Sequence, residues 1–595
     1  MEQKLERRYG LFTAICMVVG TVIGSGVFFK AQNVLTATGG NMPLGIAAWV
    51  ITGLLMIICS AMFSVMATKY EKVSGVVDYA EAACGATYGY YLAWFMVNIY
   101  YPAMTSVLAW VTARYLGVIF GWSLVSAEVM TLASLFLIGT YALNAFSPKL
   151  AGKLQVSATV IKLIPIVLMA IVGVIVGTAR GTLPQNFTQA TEIIGGSKAS
   201  GLFAAIVATV FAYEGWIVAT SINAELKNPK KNLPIALVIG SLVVVAAYVL
   251  YYIGVAGGAP VADLMDPDKG SPYAFSQIFG NLGGVLLNIC IVISCLGTLN
   301  GLMVGATRGM YAIAARGQGP RPKMFSQVDE ATNMTTNSSI WGLLVCCLWM
   351  VYFYGANLTE GWFGLFNFDS SELPIVTIYG MYIPIFIMWM VKEKDLGAFK
   401  RFILPVLAIL ACVFMVFAAV YAHGITPYLT AKEAGEGFKF PVLFFLIIYT
   451  IIMVIGSAFY NNKDTTLKTN RGLGRFILFS LLTFGIYGLI FYSRLSTDIN
   501  TIASQHDKKK TMHYYLLCFV VAPLTLGIAN LVWWHRISSR INIELSRRGI
   551  EYNFGAKTFW LWNVLGSFIV VGPFIYCHKL CTAMNLLSID YNANN

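Results

Sequence analysis

Charge is scarce in this chain. Of 595 residues, 27 are acidic and 40 basic, so charged residues make up 11%, against about a quarter in soluble domains. Histidine is scarcer still: there are five, and His423 is the only one before residue 461. That shortage excludes much catalytic chemistry, because zinc proteases need an HExxH-type cluster and serine hydrolases a histidine base. No enzyme activity, catalytic residue, metal site or cofactor is expected. Eleven cysteines form no pairing framework. Cys16, Cys59, Cys290, Cys346, Cys347 and Cys412 lie inside apolar runs, where a small polarizable side chain packs well, and disulfides are not expected there. Cys577-His578…Cys581 lacks metal-site spacing and is read as packing. The first ten residues are short and basic with no small-residue cleavage site after them, so the first apolar run is expected to be kept rather than removed.

What the chain has in abundance is apolar length: 58% of its residues are hydrophobic. Apolar segments run at about 11–38, 43–67, 84–115, 122–145, 154–177, 200–223, 234–257, 275–312, 337–355, 371–391, 402–421 and 440–460. Each is long enough to cross a bilayer, which predicts an all-α, multi-pass membrane protein with twelve spans. Lys and Arg collect on alternate loops. Lys4, Arg7 and Arg8 precede span one, and Lys69 and Lys72 follow span two. Lys149 and Lys153, then Lys227, Lys230 and Lys231, follow spans four and six. Arg316, Arg321 and Lys323 follow span eight, and Lys392, Lys394, Lys400 and Arg401 span ten. The loops between, such as 31–42 and 355–361, are poor in positive charge. Both ends of the twelve-span unit are therefore expected in the cytoplasm, in a cell membrane.

The first run contains VVGTVIGSGVFF, with Gly20, Gly24, Ser25 and Gly26 near its centre. Glycine inside a helix costs about 1 kcal/mol in propensity. A GxxxG spacing accounts for Gly20 and Gly24 as a packing surface. It does not account for Gly24-Ser25-Gly26, which predicts a break that exposes main-chain groups at mid-membrane. The sixth run has its own oddity, FAYEGW at 211–216, with an acid beside a glycine. Two interruptions five spans apart are the mark of an inverted-repeat transporter, with repeats at about 10–177 and 200–391 and two extra spans over 402–460.

These residues resemble the amino acid–polyamine–organocation superfamily. GTVIGSGVFF is similar to its first-helix signature. FAYEGWIVATSINAELKNPKKNLPIAL, 211–237, is similar to the sixth helix of the L-type amino acid transporter branch, and LGTLNGLMVGATRGMYAIAARGQGP, 296–320, to the eighth helix and its loop. The resemblance implies a LeuT-type fold of two inverted five-helix repeats plus two helices, over the first 460 residues. It implies that Thr21, Val22, Ile23, Gly24, Ser25 and Gly26 cradle a substrate carboxylate. Phe211, Ala212 and Tyr213 would offer carbonyls to its ammonium group, with Phe211 as a gate. Freed amides attract an anion and freed carbonyls a cation, so the assignment suits a zwitterion.

Lys162 lies inside the fifth run, too deep for simple snorkelling. It resembles the lysine that replaces a sodium ion in sodium-independent members, bracing the first helix against the eighth around Gly297, Thr298 and Asn300. Glu214 departs from the animal members, which have a small residue there. It is read either as a structural acid or as a group that carries a proton or favours a cationic substrate. Glu225 is read as a surface ion pair and Trp216 as packing. Arg308 and Arg316 are read as snorkelling or holding the inner face of span eight, with a gating ion pair left open. The loop 117–127 contains no cysteine, so a disulfide-linked heavy subunit is not expected.

The tail differs. After a linker at 461–473, residues 474–595 form a basic region; over 461–595 there are 14 Lys and Arg against 6 Asp and Glu, a net +8 of the chain's +13. Three apolar stretches recur, ending at Asn500, Asn542 and Asn585, with Arg494, Arg536 and Lys579 in register. The tail resembles a small bacterial membrane domain of unknown function. Basic residues flank each stretch on both sides and a glycine (Gly485, Gly527, Gly572) sits near each middle. Simple crossing conflicts with the positive-inside rule. Shallow membrane-embedded hairpins are favoured over three spans, with anionic lipid at the basic flanks.

The leading expectation is a sodium-independent amino acid permease or exchanger working by alternating access, favouring neutral or small polar substrates. A cationic amino acid or polyamine carrier is the alternative raised by Glu214. A sensor signalling through the tail is the third. No nucleic-acid partner is expected.

Overall fold

The computed structural model describes residues 10–24, 26–70, 75–123, 125–146, 158, 161–188, 197–216, 226–266, 269–328, 335–359, 361–460, 467–482, 486–512, 514, 517–522, 525–569 and 571–594. Two compact units result, Met1–Tyr460 and Asn461–Asn595. Both are helical, and no strand occurs among the described residues.

In the first unit, nine described helices are long and apolar enough to cross a membrane, from Met42–Lys69 to Pro441–Ala458. A tenth crossing is bent by 85° between Leu163–Ala179 and Thr182–Thr188. The remaining two expected spans are interrupted. The first is split into Leu11–Val22 and Gly26–Ala37, and the sixth begins as Lys198–Tyr213 and stops. This is the LeuT-type arrangement, with a broken span opening each five-span half. The eighth helix, Gly270–Ala315, also changes direction once, at Gly280 with φ +73°.

Close helix contacts rest on small residues, as expected where apolar burial gives no preference between helix and lipid. A Cβ on Gly173 would stand 2.6 Å from the Gly254 carbonyl oxygen, so the fifth and seventh spans touch main chain to main chain. At the ends expected in the cytoplasm, ion pairs tie neighbouring elements. Lys69 meets Asp395 at 2.8 Å and also Glu393, while Arg316 meets Asp78 at 2.7 Å and Glu81 at 3.5 Å. Arg316 therefore has an ion-pair role, and Arg308 is exposed.

The second unit repeats one motif three times: a short apolar arm, a break, then a longer arm. The pairs are Leu473–Leu482 with Ile486–Asp507, Leu517–Val521 with Ile528–Arg547, and Phe559–Val564 plus Leu565–Ile569 with Gly572–Asn594. Leu495, Ile499, Ile537, Ile541, Leu580 and Met584 form its own buried core. Among the described residues, no helix of this unit is long and apolar enough to span.

Replacing Gly254 by alanine drives a methyl into the Met169 carbonyl. The expected result is a destabilisation of about 1–3 kcal/mol from overpacking, read as a lower melting temperature of purified protein in detergent; an unchanged melting temperature would mean the two spans part easily.

Candidate functional site

The two interruptions are local consequences of sequence. Ile23 leaves the helical region at ψ 105°, and the next helix starts at Gly26. In the sixth span Glu214 turns extended at φ −66°, ψ 151°, and Gly215 follows at φ +111°, a conformation that favours glycine. Each break leaves main-chain carbonyls on one side and amides on the other without helical partners.

The breaks meet. A Cβ on Gly26 would lie 2.5 Å from Ala212 Cα and 3.0 Å from both Ala212 N and the Phe211 carbonyl oxygen. Only glycine allows this approach. From the seventh span, the buried Tyr248 hydroxyl stands 3.1 Å from the Val22 carbonyl oxygen and 2.9 Å from that of Ala212. Its one proton is shared between carbonyls in the last turn of both half-helices. Tyr248 is a site residue that sequence reasoning missed; its only signal was a run of tyrosines (Tyr248, Tyr251, Tyr252) inside an apolar span.

Two more expected residues reach the first break from other sides. Lys162, buried, donates from its ammonium group to the Gly20 carbonyl, a turn before the break. Thr298 Oγ1 would sit 3.3 Å from a Cβ on Gly24 and donates to the Ser294 carbonyl at 3.2 Å. The arrangement thus places a fixed cation and a hydroxyl beside the first interruption. Asn300 faces the fourth span, accepting from Asn144 at 2.8 Å. The Tyr213 side chain points into the second span, donating to the Trp49 carbonyl at 2.8 Å. Trp216 is buried against Phe63 and Tyr382. Ser25, Glu225 and the Thr21 side chain lie outside the described residues.

Glu214 is half satisfied. One carboxylate oxygen accepts from the Tyr100 hydroxyl at 2.6 Å, and the other is buried with no hydrogen-bond partner among the described residues.

Past the first break, aromatic rings stack over the junction. Phe29 meets Phe211 at 6.1 Å and Trp110 at 5.8 Å, edge to face. The Lys30 ammonium lies 5.0 Å from the Phe29 ring and 5.4 Å from Phe211. Lys30 is fully buried and paired with Glu372 at 2.6 Å, and donates to Ser371 at 3.1 Å. His423 Nε2 lies 2.9 Å from the other Glu372 oxygen. This triad links the first, tenth and eleventh spans directly above the gate-position ring. Sequence reasoning passed over Lys30, inside the first run, and Glu372, at the start of the tenth, where charge is usually solvated.

Comparison with known proteins identifies the family. Residues 9–434 match a family profile described as amino acid permease. The chain belongs to the amino acid permease family. Every site residue named above lies within the matched region. The serine/threonine exchanger SteT of Bacillus subtilis is 29% identical over 400 residues, covering 67% of this chain and 86% of SteT. The mouse b(0,+)-type amino acid transporter 1 is 25% identical over 435 residues, 71% of this chain and 85% of that one. The human cystine/glutamate transporter is 25% identical over 330 residues, 55% of this chain and 64% of that one. The solved structure of MhsT with L-phenylalanine overlaps 69% of this chain at a TM-score of 0.46 and 16% identity. In the tail, residues 471–543 match a domain of unknown function (DUF4234). This permease is a transporter rather than an enzyme.

Removing one partner of a buried ion pair leaves the other uncompensated, at about 3–5 kcal/mol. Lys30→Met is therefore expected to lower the melting temperature strongly, and Lys30→Met with Glu372→Gln to recover much of the loss. Equal melting temperatures for the single and double variants would show that the pair is not electrostatically coupled.

Proposed function

We propose that this permease is a sodium-independent secondary transporter of amino acids in the cell membrane, its N-terminus cytoplasmic, moving neutral or small polar substrates by exchange or proton coupling. The observation that carries this reading is the junction of Gly26 with Phe211–Ala212. There the amides that open one half-helix stand beside the carbonyls that close another, an arrangement suited to a carboxylate and an ammonium a fixed distance apart. Such a site grips what all α-amino acids share and leaves the side chain to other walls. The name of SteT, a serine/threonine exchanger, supports small polar substrates.

Lys162 supports the sodium-independent reading. A cation at the Gly20 carbonyl would stand next to the ammonium already bound there. Two unit charges 4 Å apart repel by about 4 kcal/mol at an effective dielectric constant near 20. The lysine also ties span five to the moving half-helix, so it couples scaffold to site.

The unpaired oxygen of Glu214 favours a second reading, a carrier of cationic amino acids or polyamines. Buried acids inside spans are costly and commonly functional.

Counterflow of each of the twenty amino acids in liposomes of purified protein tests the main reading. Uptake of serine, threonine or other neutral substrates, equal in sodium and in choline, is expected. Dependence on sodium would defeat the sodium-independent reading, and binding without flux would make the protein a sensor. Lys162→Met is expected to reduce flux at least tenfold while leaving the melting temperature within a few degrees, a split that a purely structural lysine would not give. Glu214→Gln separates the two substrate readings: neutral flux kept while lysine or putrescine flux vanishes supports the second.

A further inference from the structure

The tail unit is a closed ring, and its asparagines show it. Asn500, Asn542 and Asn585 recur in register, 42 and 43 residues apart. Asn500 clasps Thr511 by main chain, donating to its carbonyl at 2.9 Å and accepting from its amide at 2.7 Å. Asn585 clasps Arg471 in the same way, at 2.8 and 2.9 Å. Asn542 packs on Gly555, where a Cβ would lie 3.2 Å from its own Cβ and Cγ. Thr511, Gly555 and Arg471 stand at the entries of the second, third and first hairpins. The first hairpin thus holds the second, the second abuts the third, and the third holds the first. Tyr492, Trp534 and Tyr576, one from each copy, meet in the middle, with ring centroids 4.8 and 5.8 Å apart along the series.

Where the second and third hairpins turn, the described residues are bare and apolar: Leu526 is 94% exposed and Phe568 87%. Ile528, Ile569 and Leu478 beside them are more than half exposed. Water is a poor environment for such a surface. Nine residues beyond Gly485 and Gly527, and seven beyond Gly572, come Arg494, Arg536 and Lys579. At 1.5 Å per residue this places a cation about 10–14 Å along each longer arm, close to one leaflet of a hydrocarbon core about 30 Å thick. The repeated cations would then lie at headgroup level, where the net +8 of residues 461–595 favours anionic lipid.

We propose that residues 467–594 form a monotopic wedge, a ring of three hairpins whose apolar tips enter one leaflet of the bilayer without crossing it. The same chain carries nine described helices long and apolar enough to cross a membrane, the last ending at Ala458, which tether this wedge to one. Apolar length argues against a crossing: the first arm of each hairpin has 5 to 11 residues, and each longer arm meets a cation within nine residues of its break. Anionic lipid in the leaflet is the ligand, gripped by apolar tips below and cations above.

The test uses the full-length permease carrying p-azidophenylalanine at one exposed position, Lys509, Leu526 or Ser546, in sealed vesicles of phosphatidylethanolamine and phosphatidylglycerol of known orientation. Lys509 precedes the second hairpin and Ser546 follows it. A membrane-impermeant alkyne dye is expected to label 509 and 546 from the same face, and to leave 526 unlabelled from either. Irradiation of the 526 variant is expected to give a lipid adduct on its peptide. Labelling of 509 and 546 from opposite faces would make the hairpin a span and overturn the proposal. Dye on 526, or a protein adduct in place of lipid, would overturn it as well. The wedge stands or falls independently of transport, since none of these readouts depends on flux.

Discussion

Two chains of main-chain dipoles have to be brought together inside a solvent that cannot hydrogen-bond them. That constraint shapes the permease unit. In hydrocarbon, an open carbonyl or amide costs several kcal/mol unless something answers it. The two broken spans are tolerable because Gly26 lets their ends touch and because Tyr248 answers a carbonyl in the last turn of each, Val22 and Ala212. Lys162 answers a third carbonyl, at Gly20, from a different span. What the ends do not give to one another is available to a substrate. A site assembled from main chain is largely indifferent to side-chain identity, which fits a family whose members differ in what they carry.

Charge buried in the same unit is arranged around that junction. Lys162 lies on one side of the first break and Lys30 on the other, four residues past Gly26. Lys30 is neutralised by Glu372, which His423 shares, so the eleventh span is joined to the first through one carboxylate. The Phe29 and Phe211 rings separate this triad from the junction and keep apolar matter between two sets of charges. The ion pair thus bridges the second half of the first span to two other spans.

The tail follows another logic. Among the described residues none of its helices is both long and apolar enough to cross, and the clasps of Asn500 and Asn585 join its copies without using apolar area. The clasps fix the entry of each hairpin, and the aromatic trio fixes the axis. The apolar tips are left over, because nothing within the ring covers Leu526 or Phe568.

Much of this was legible in the sequence. Apolar length located the crossings, and Gly24 to Gly26 and Glu214-Gly215 marked the breaks, since a helix can open at mid-span only where neighbours or a cavity answer the freed main chain. The depth of Lys162 in its run marked it as unusual, and the recurrence of Asn500, Asn542 and Asn585 marked the tail as repeated. Periodicity and composition carry that information locally, so it survives without a fold. Three features did not. Tyr248 looked like one tyrosine among several, Glu372 like a charge at a span end, Lys30 drew no notice inside the first run, and Asn300 looked like a partner for Lys162 where it binds Asn144. Their roles depend on which spans become neighbours, and in lipid that choice is made by close contacts such as Gly173 on Gly254 rather than by apolar burial. Sequence therefore determined where the chain crosses and where it breaks; only tertiary structure decided what answers each broken end.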